Sequence, residues 1–405
     1  MKFKFYVVSG NTYLEAFFEE SDVVEGNRLE GAGVKIRNRN PLVFFNQDYS
    51  GVHPDIIGLA CLAIFYPFIG SEVTFPYPVS QRLVNSINRE IFTKTKSLKI
   101  KNIDTNIPQY QGNGKAVLAF GGGVDSSAVR ALFPEAFVIH EASIRDGEEV
   151  LDLTNSVVEK LENEGKGRLV KTNSRFISDP GGWHIWIGSI VTALLEGAKS
   201  GSSYIYSGTI LGSAFMSNGN KYFDRHASSK WHGESGNYWQ QIFWDIGLPL
   251  VQPLMGCSEI LTTEATVNAI PKEEVFFCTA KDGGPCGVCP KCFRRACIQD
   301  YLGNKKLDFT SFDNIQVNTL LDRKPTYFGH IYSSLLVAGW TPPDFVKHKL
   351  QHLPGGSSFC LKYNPESLDF MPLELRGDIK AVLERNFNVM NEGDIKAMRG
   401  WNQAL

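Results

Sequence analysis

Lys115 to Leu132 reads KAVLAFGGGVDSSAVRAL. An apolar run suited to a buried strand meets three glycines, an aspartate and two serines, and then a pattern with helical spacing. Few folds turn from strand to helix in this manner, and those that do alternate the two elements. The alternation continues to about residue 300. AVLAF, AFVIH, RLVKT and SYIYSGT read as strands; Val124–Leu132, Glu148–Leu161 and Trp183–Ala198 read as helices. This predicts an α/β fold with a parallel sheet. In such sheets ligands bind beyond the carboxyl ends of the strands, where helices begin. A helix N-terminus offers unpaired N–H groups and partial positive charge, which suit a phosphate. Gly121, Gly122 and Gly123 let the backbone come close. Ser126 and Ser127 add small donors, and Asp125 either holds magnesium beside a phosphate or caps the turn. No lysine follows as a Walker loop requires, and no third glycine falls in register for a dinucleotide fingerprint.

Four of the eight cysteines lie within fifteen residues: Cys278, Cys286, Cys289 and Cys292, spaced C-x7-C-x2-C-x2-C. Four soft thiolates suit tetrahedral zinc, and Gly287 permits the tight turn between ligands. With no open position needed for chemistry, the site reads as structural. An iron–sulfur cluster on three of the cysteines and a persulfide carrier are the competing readings. Cys297 reads as a buried thiol in the following helix. Eight cysteines in 405 residues are too dilute for a secreted disulfide scaffold, and a cytoplasmic protein is expected.

The length predicts about two or three folding units. Residues 1–110 read as an α+β module of their own, with strands in FKFYVV, TYLEAFF and GVKIR and a helix in VSQRLVNSINREIF. The uncharged run Ile56–Ser71 is shorter than the roughly 20 residues a bilayer needs and contains Pro67. It reads as a buried core helix, so no membrane partner is expected. Lys99–Lys115 reads as a linker, 111–300 as the α/β core, and 301–405 as a helical C-terminal region. A net charge of -2 gives no reason to expect non-specific binding to nucleic acid.

FGGGVDSS closely resembles the phosphate loop of the PP-loop (N-type) ATP pyrophosphatases. Gly121 stands where that family has its first serine; Gly122, Gly123, Asp125 and Ser126 match. The loop together with the late CGVCPKCFRRA knuckle resembles the 7-cyano-7-deazaguanine synthase (QueC) group, with Arg295 in the place of its arginine. The resemblance covers residues 115–300. It implies a PP-loop core, ATP with magnesium as cofactor, and adenylation of a deazaguanine carboxylate with pyrophosphate release and amide formation. Gly208, Asp224, Arg225 and Arg295 are the implied substrate-side residues.

The chain departs from the group at Gly182 and Trp183, at Glu259 where a lysine is expected, and at VIHEASIRDG. These departures point to a changed acceptor. QueC-like proteins of anti-phage systems imply attachment of the deazaguanine to an amine of a partner protein, and the long flanks suit such a partner. An oligomer is compatible with this reading. Other readings stay open: a PP-loop sulfurtransferase acting on tRNA or a small molecule, and a nucleotide-binding assembly protein without catalysis. Asp224 with Arg225 reads equally as a surface ion pair, and His184, His226 and His232 as packed or exposed rings. KWHGESGNYWQQIFW reads as core filling before a stacking floor for a planar base.

Overall fold

In the computed structural model of the protein, the sheet is built around Phe137–Arg145, a strand buried along most of its length. Val138, Ile139 and Ala142 leave neither face to solvent, as a strand covered on both sides requires. The structure describes all residues except 28–32, 92–97, 183–185, 216–238, 276–277, 279–285, 304–306, 323–327, 352, 354–357 and 402–405. Those described fall into two compact units. The first comprises the described residues of 1–121, 135–206 and 229–251, and the second those of 122–134, 207–228 and 252–405.

The first unit holds the main sheet. Its strand order is Lys2–Val8, Asn11–Phe17, Leu42–Phe45, Gly167–Thr172, Phe137–Arg145, Ala116–Ala119, Tyr204–Ser207 and Leu250–Val251. Gly167–Thr172 and Ala116–Ala119 each pair in parallel with Phe137–Arg145, and Tyr204–Ser207 pairs in parallel with Leu250–Val251. The expected mixed α/β architecture with a parallel sheet is therefore present. Numbered from Ala116–Ala119, these five strands run 3-2-1-4-5 across the sheet. The order reverses between Ala116–Ala119 and Tyr204–Ser207, and a reversal of this kind opens a crevice at the carboxyl ends of the strands.

The first 110 residues, read from the sequence as a module of their own, continue this sheet. Lys2–Val8 and Asn11–Phe17 form an antiparallel hairpin. Its turn residues Ser9 and Gly10 both have positive φ (50° and 78°), as a two-residue hairpin connection with native twist demands. Leu42–Phe45 then pairs antiparallel with Asn11–Phe17, and Phe45 pairs with Thr172. Alternating burial in Lys2–Val8 places Phe3 and Phe5 on the core face. Sequence patterning shows which face of a strand is buried. It does not show which partner strand receives it, so the continuity with the parallel sheet was hidden.

The buried helix expected in Ile56–Ser71 is the α-helix Pro54–Phe65, buried from Asp55 to Phe65, and a 3-10 turn at Tyr66–Phe68 follows it. Asp55 inside the α-helix accepts from the Ser80 amide at 2.7 Å and the Ser80 hydroxyl at 2.6 Å. Ser80 in turn caps the helix Gln81–Glu90. Within the expected linker, Lys99–Ile100 pairs in parallel with Glu72–Val73. The helix expected over Trp183–Ala198 is a 3-10 turn at Trp186–Ile190 followed by an α-helix at Val191–Lys199. No helix among the described residues is long and apolar enough to cross a membrane.

In the second unit the helices Val124–Leu132 and Glu259–Ala269 pack against each other. The helix Pro290–Tyr301 follows the cysteine cluster. The region after 301 is helical where described, with Ile315–Asp322, Gly329–Val337, Leu373–Asn386 and Glu392–Gly400 as its longest pieces. It is tied to the rest of this unit. Asn364 N–H donates to the Gly256 carbonyl at 2.9 Å, and a Cβ on Gly256 would come within 2.4 Å of Ser367 Oγ.

Two glycines of the first unit separate conformational from steric need. Gly247 has φ +93°, and a Cβ there would approach the Tyr110 carbonyl oxygen to 2.1 Å. Gly114 has φ +87° with nothing within 4 Å. Gly247→Ala should therefore cost about 2 kcal/mol or more, because backbone must shift as well as strain. Gly114→Ala should cost about 1 kcal/mol. Urea midpoints compare the two, and equal losses would show that the 110–247 backbone yields freely.

Candidate functional site

The strand Ala116–Ala119 leads through Phe120–Gly123 into the helix Val124–Leu132. Gly122 has φ +68°, a conformation that glycine adopts without steric cost. Gly121 is exposed, and a Cβ there would meet nothing within 4 Å, so its missing side chain leaves open space. Gly123 occupies the N-cap and offers no side chain to the first turn. Ser126 Oγ donates to the Gly123 carbonyl at 3.0 Å, which stiffens that turn. The Ser127 hydroxyl is buried and has no hydrogen-bond partner among the described residues. Gly208 stands directly against this turn: a Cβ on it would lie 2.5 Å from the Ser126 nitrogen. Gly208 thus shapes the site by permitting close backbone approach.

Asp125 projects from the first turn and keeps partial exposure. Its Oδ1 accepts from Thr262 Oγ1 at 2.8 Å. Burial and the nearby Glu259 charge push its carboxyl up to about 6, against the opposing pull of Arg295 and the Thr262 hydrogen bond. Thr266, one turn further along the same helix, donates to the Val124 carbonyl at 3.0 Å. The two helices are therefore joined at their polar faces as well as by packing.

Glu259 opens the helix Glu259–Ala269 and is 3% exposed. Its carboxylate pairs with the Arg294 guanidinium and, at 3.2 Å, with Arg295. Burial opposes ionisation of Glu259, but the two arginines outweigh it and hold the carboxyl below its ordinary range. Arg295 also donates to Thr263 Oγ1. The Arg294 guanidinium carbon lies 3.5 Å from the Phe328 ring centroid, a cation–π contact. His330 is buried close by, and burial brings its imidazole down to about 4, so it is neutral at physiological pH. Arg295, expected to face substrate, is accordingly engaged in a buried ion triad.

The sulfurs of Cys278, Cys286, Cys289 and Cys292 all lie within 4.8 Å of one another. Cys278 Sγ is 3.7 Å from Cys289 Sγ, and Cys286 Sγ is 3.9 Å from Cys292 Sγ. Thiolates about 2.3 Å from a tetrahedral zinc would be separated by about 3.8 Å, so the cluster has the dimensions such an ion needs. Gly287 turns the knuckle with φ +70°, and Cys289 caps the helix Pro290–Tyr301. Ser311 and Asn314 hold the knuckle carbonyls of Gly287 and Val288 at 2.8 and 2.9 Å. Burial disfavours the Cys286 thiolate, but amides of Val288 and Cys289 bring that thiol down to about 7; at Cys292 burial prevails and holds it up to about 12. Cys297 is fully buried, as expected.

Asp224, Arg225, Trp183, His184, His226 and His232 lie outside the described residues. Gly182 is described and has φ +139°. The sequence reading missed Thr262, Thr266, Arg294 and His330. A signal for the threonines was present in SEILTTEAT, where hydroxyls recur at positions 262, 263 and 266 of a helix that Ser258 caps. Such residues are poor helix formers, and their concentration on one helix asks for partners.

The raised carboxyl of Asp125 makes a stability prediction with a definite sign. Between its ordinary value of 3.8 and about 6, the folded protein holds a proton that the unfolded chain releases. Stability attributable to this residue therefore falls as pH rises through that window. Asp125→Asn, which keeps an acceptor for Thr262, should match the parent near pH 4. It should gain on the order of 1 to 2 kcal/mol by pH 7. Denaturant unfolding of both proteins across pH 4–7.5 reads this. A difference that stays constant with pH would show that Asp125 ionises normally.

Residues 238–402 match the model of a family of unknown function, DUF6395. No curated protein and no solved structure matches the chain. The matched stretch takes in the Glu259 helix, the four cysteines, the arginine pair and the C-terminal helices, and leaves the glycine turn outside it.

Proposed function

We propose that this protein uses ATP to adenylate a carboxylate and then passes the acyl group to an amine. The observation that carries the reading is the glycine turn that opens the helix Val124–Leu132. There Gly122 is left-handed, Gly123 leaves the helix uncapped, and Ser127 holds an orphaned buried hydroxyl. Unpaired amides at such a terminus suit a pyrophosphate. A carboxylate oxygen of the substrate would attack the α-phosphorus, the bond from that phosphorus to the bridging oxygen would break, and pyrophosphate would leave. The amine nitrogen would then attack the acyl carbon, AMP would depart, and the nitrogen would lose its proton to solvent.

The chain's own part in this is positional and electrostatic. The amides of the first helical turn and the hydroxyls of Ser126 and Ser127 would bind departing pyrophosphate. Asp125 would hold magnesium, which neutralises phosphate charge when bound with ATP; Thr262 already fixes one of its oxygens. The resemblance to the deazaguanine-modifying PP-loop enzymes supplies the substrate class, a 7-deazaguanine acid. The departures from those enzymes at Gly182 and Trp183, together with the long flanks, favour a partner protein's amine as acceptor over ammonia.

For the four-cysteine cluster we propose a structural zinc ion that joins the knuckle to the start of the helix Pro290–Tyr301. Elemental analysis of purified protein should find about one zinc per chain. Cys289→Ser should lower zinc content and melting temperature together, since three thiolates bind less tightly and the binding energy is folding energy. Iron in place of zinc, with a visible charge-transfer band, would favour the sulfurtransferase reading instead.

The reaction itself is tested with ATP, magnesium and 7-carboxy-7-deazaguanine. Pyrophosphate should be released, and Asp125→Asn should slow its release by about 100-fold or more while remaining folded. A candidate partner protein should gain the mass of the acid less one water. An unaffected Asp125→Asn would leave that residue as a turn former. A parent protein that turns over no ATP with any carboxylate tried would favour the nucleotide-binding assembly reading.

A further inference from the structure

A cavity of about 560 Å³ lies wholly within the first unit, apart from the glycine turn. Its size falls in the range of small-molecule sites. It is lined by residues that follow the strands Phe137–Arg145 and Gly167–Thr172 and precede or begin Leu42–Phe45. It therefore sits beyond the carboxyl ends of two parallel strands, the position at which open α/β sheets take ligands. The sequence had singled out the IRDG stretch at one of its walls as a departure, and the reaction proposed above makes no use of it.

The walls are of two kinds. Phe44, Phe176, Ile144 and Ile177 supply aromatic and aliphatic surface. Phe176 is pinned from behind: a Cβ on Gly181 would come within 2.6 Å of its ring. Asn173 is a rigid wall, because its oxygen accepts from Phe44 N–H at 2.8 Å and its amide donates to the Leu42 carbonyl at 2.9 Å. Against this surface stands positive charge. Arg37 lines the cavity, and the guanidinium carbons of Arg145 and Arg175 lie 5.7 and 5.9 Å from the Phe176 ring centroid.

Among the described residues of the wall, the carboxylate is that of Asp146, and it faces Arg37 and Arg145. Asp146 lies 3.5 Å from Arg37 Nη1 and 3.6 Å from Arg145 Nε, and its side chain is 75% exposed. Pairs this long and this wet are worth little and exchange readily. Asp146 and Gly147, with φ of 52° and 88°, form the turn of the hairpin to Glu148–Glu149, so the aspartate's backbone is explained by the turn alone.

We propose that this cavity binds a flat aromatic molecule carrying an anionic group, its ring against Phe44 and Phe176 and its anion on Arg37, displacing Asp146. A ring with no anion would leave Arg37 with its long, exposed contact to Asp146, and an anion with no ring would leave the apolar walls wet. The inference stands apart from the adenylation reading, since it needs neither ATP nor the cysteine cluster.

The test uses the full chain and two probes, naphthalene-2-carboxylate and its uncharged amide, titrated calorimetrically. The carboxylate should bind at one site at least about tenfold more tightly than the amide, the difference expected of a charge-assisted contact. Arg37→Ala should lose that advantage. Asp146→Asn, which suits the left-handed turn and removes the competing carboxylate, should bind the carboxylate more tightly than the parent does. Asp125→Asn should bind it unchanged, which separates this site from the proposed reaction centre. Equal binding of the two probes, no binding of either, or indifference to both Arg37→Ala and Asp146→Asn would overturn the proposal. Unchanged melting temperatures of the variants exclude loss of fold as the cause.

Discussion

Glu259 is ionised inside the second unit, with Arg294 and Arg295 as its partners, and much of that unit's polar architecture follows from this triad. A buried carboxylate is tolerated only when opposite charge and hydrogen bonds surround it, and breaking such a group leaves an uncompensated charge behind. Glu259 therefore fixes the start of its helix against the helix Pro290–Tyr301. The first helix then presents Thr262 and Thr266 to Asp125 and Val124. Position follows in sequence from cysteine knuckle to arginine pair, from arginine pair to Glu259, and from Glu259 to the Asp125 carboxylate. The four-cysteine cluster and the glycine turn, separate in sequence, thus belong to one chain of contacts within this unit.

On the resemblance read from the sequence, the same triad bears on its most conspicuous departure. Where the resembled enzymes carry a lysine, this chain carries Glu259. With Arg294 and Arg295 both buried within reach, a lysine would gather three cations in a low-dielectric site. Glu259 and the arginine pair are a matched set of buried charges. Arg295 shows the limit of carrying a role across by position: the residue is present, but its guanidinium is committed to Glu259 and Thr263.

What could be read from the sequence was whatever short-range chemistry dictates. The alternation of strands and helices, the buried helix at Pro54–Phe65, the glycine turn and the four clustered thiols all depend on spacing and residue type. Long-range pairing could not be read in this way. Leu42–Phe45 reaches Gly167–Thr172 across more than a hundred residues, and nothing in LVFF names its partner. Thr262 likewise meets Asp125 only because two helices pack, and a threonine in a helical pattern carries no label for what it will touch. The two arginines announced a charge to be satisfied, but which acid satisfied it was a matter of tertiary structure.

Side chains cap some helix starts and not others. Ser80, Asp152, Ser258 and Asn391 each cap the helix they precede, and Asn391 completes a capping box with Asp394. At Gly123 the chain places no capping side chain at all. Within five residues of it stand an orphaned hydroxyl and a carboxyl raised to about 6. The orphaned hydroxyl and the raised carboxyl each cost stability in the protein by itself. On the reading proposed above, a ligand at this turn would supply the missing partners and offset these costs. A phosphate group would accept from the open amides and the Ser127 hydroxyl. A divalent cation would stabilise the ionised form of Asp125. The two together relieve every local defect at the turn, and neither does so alone.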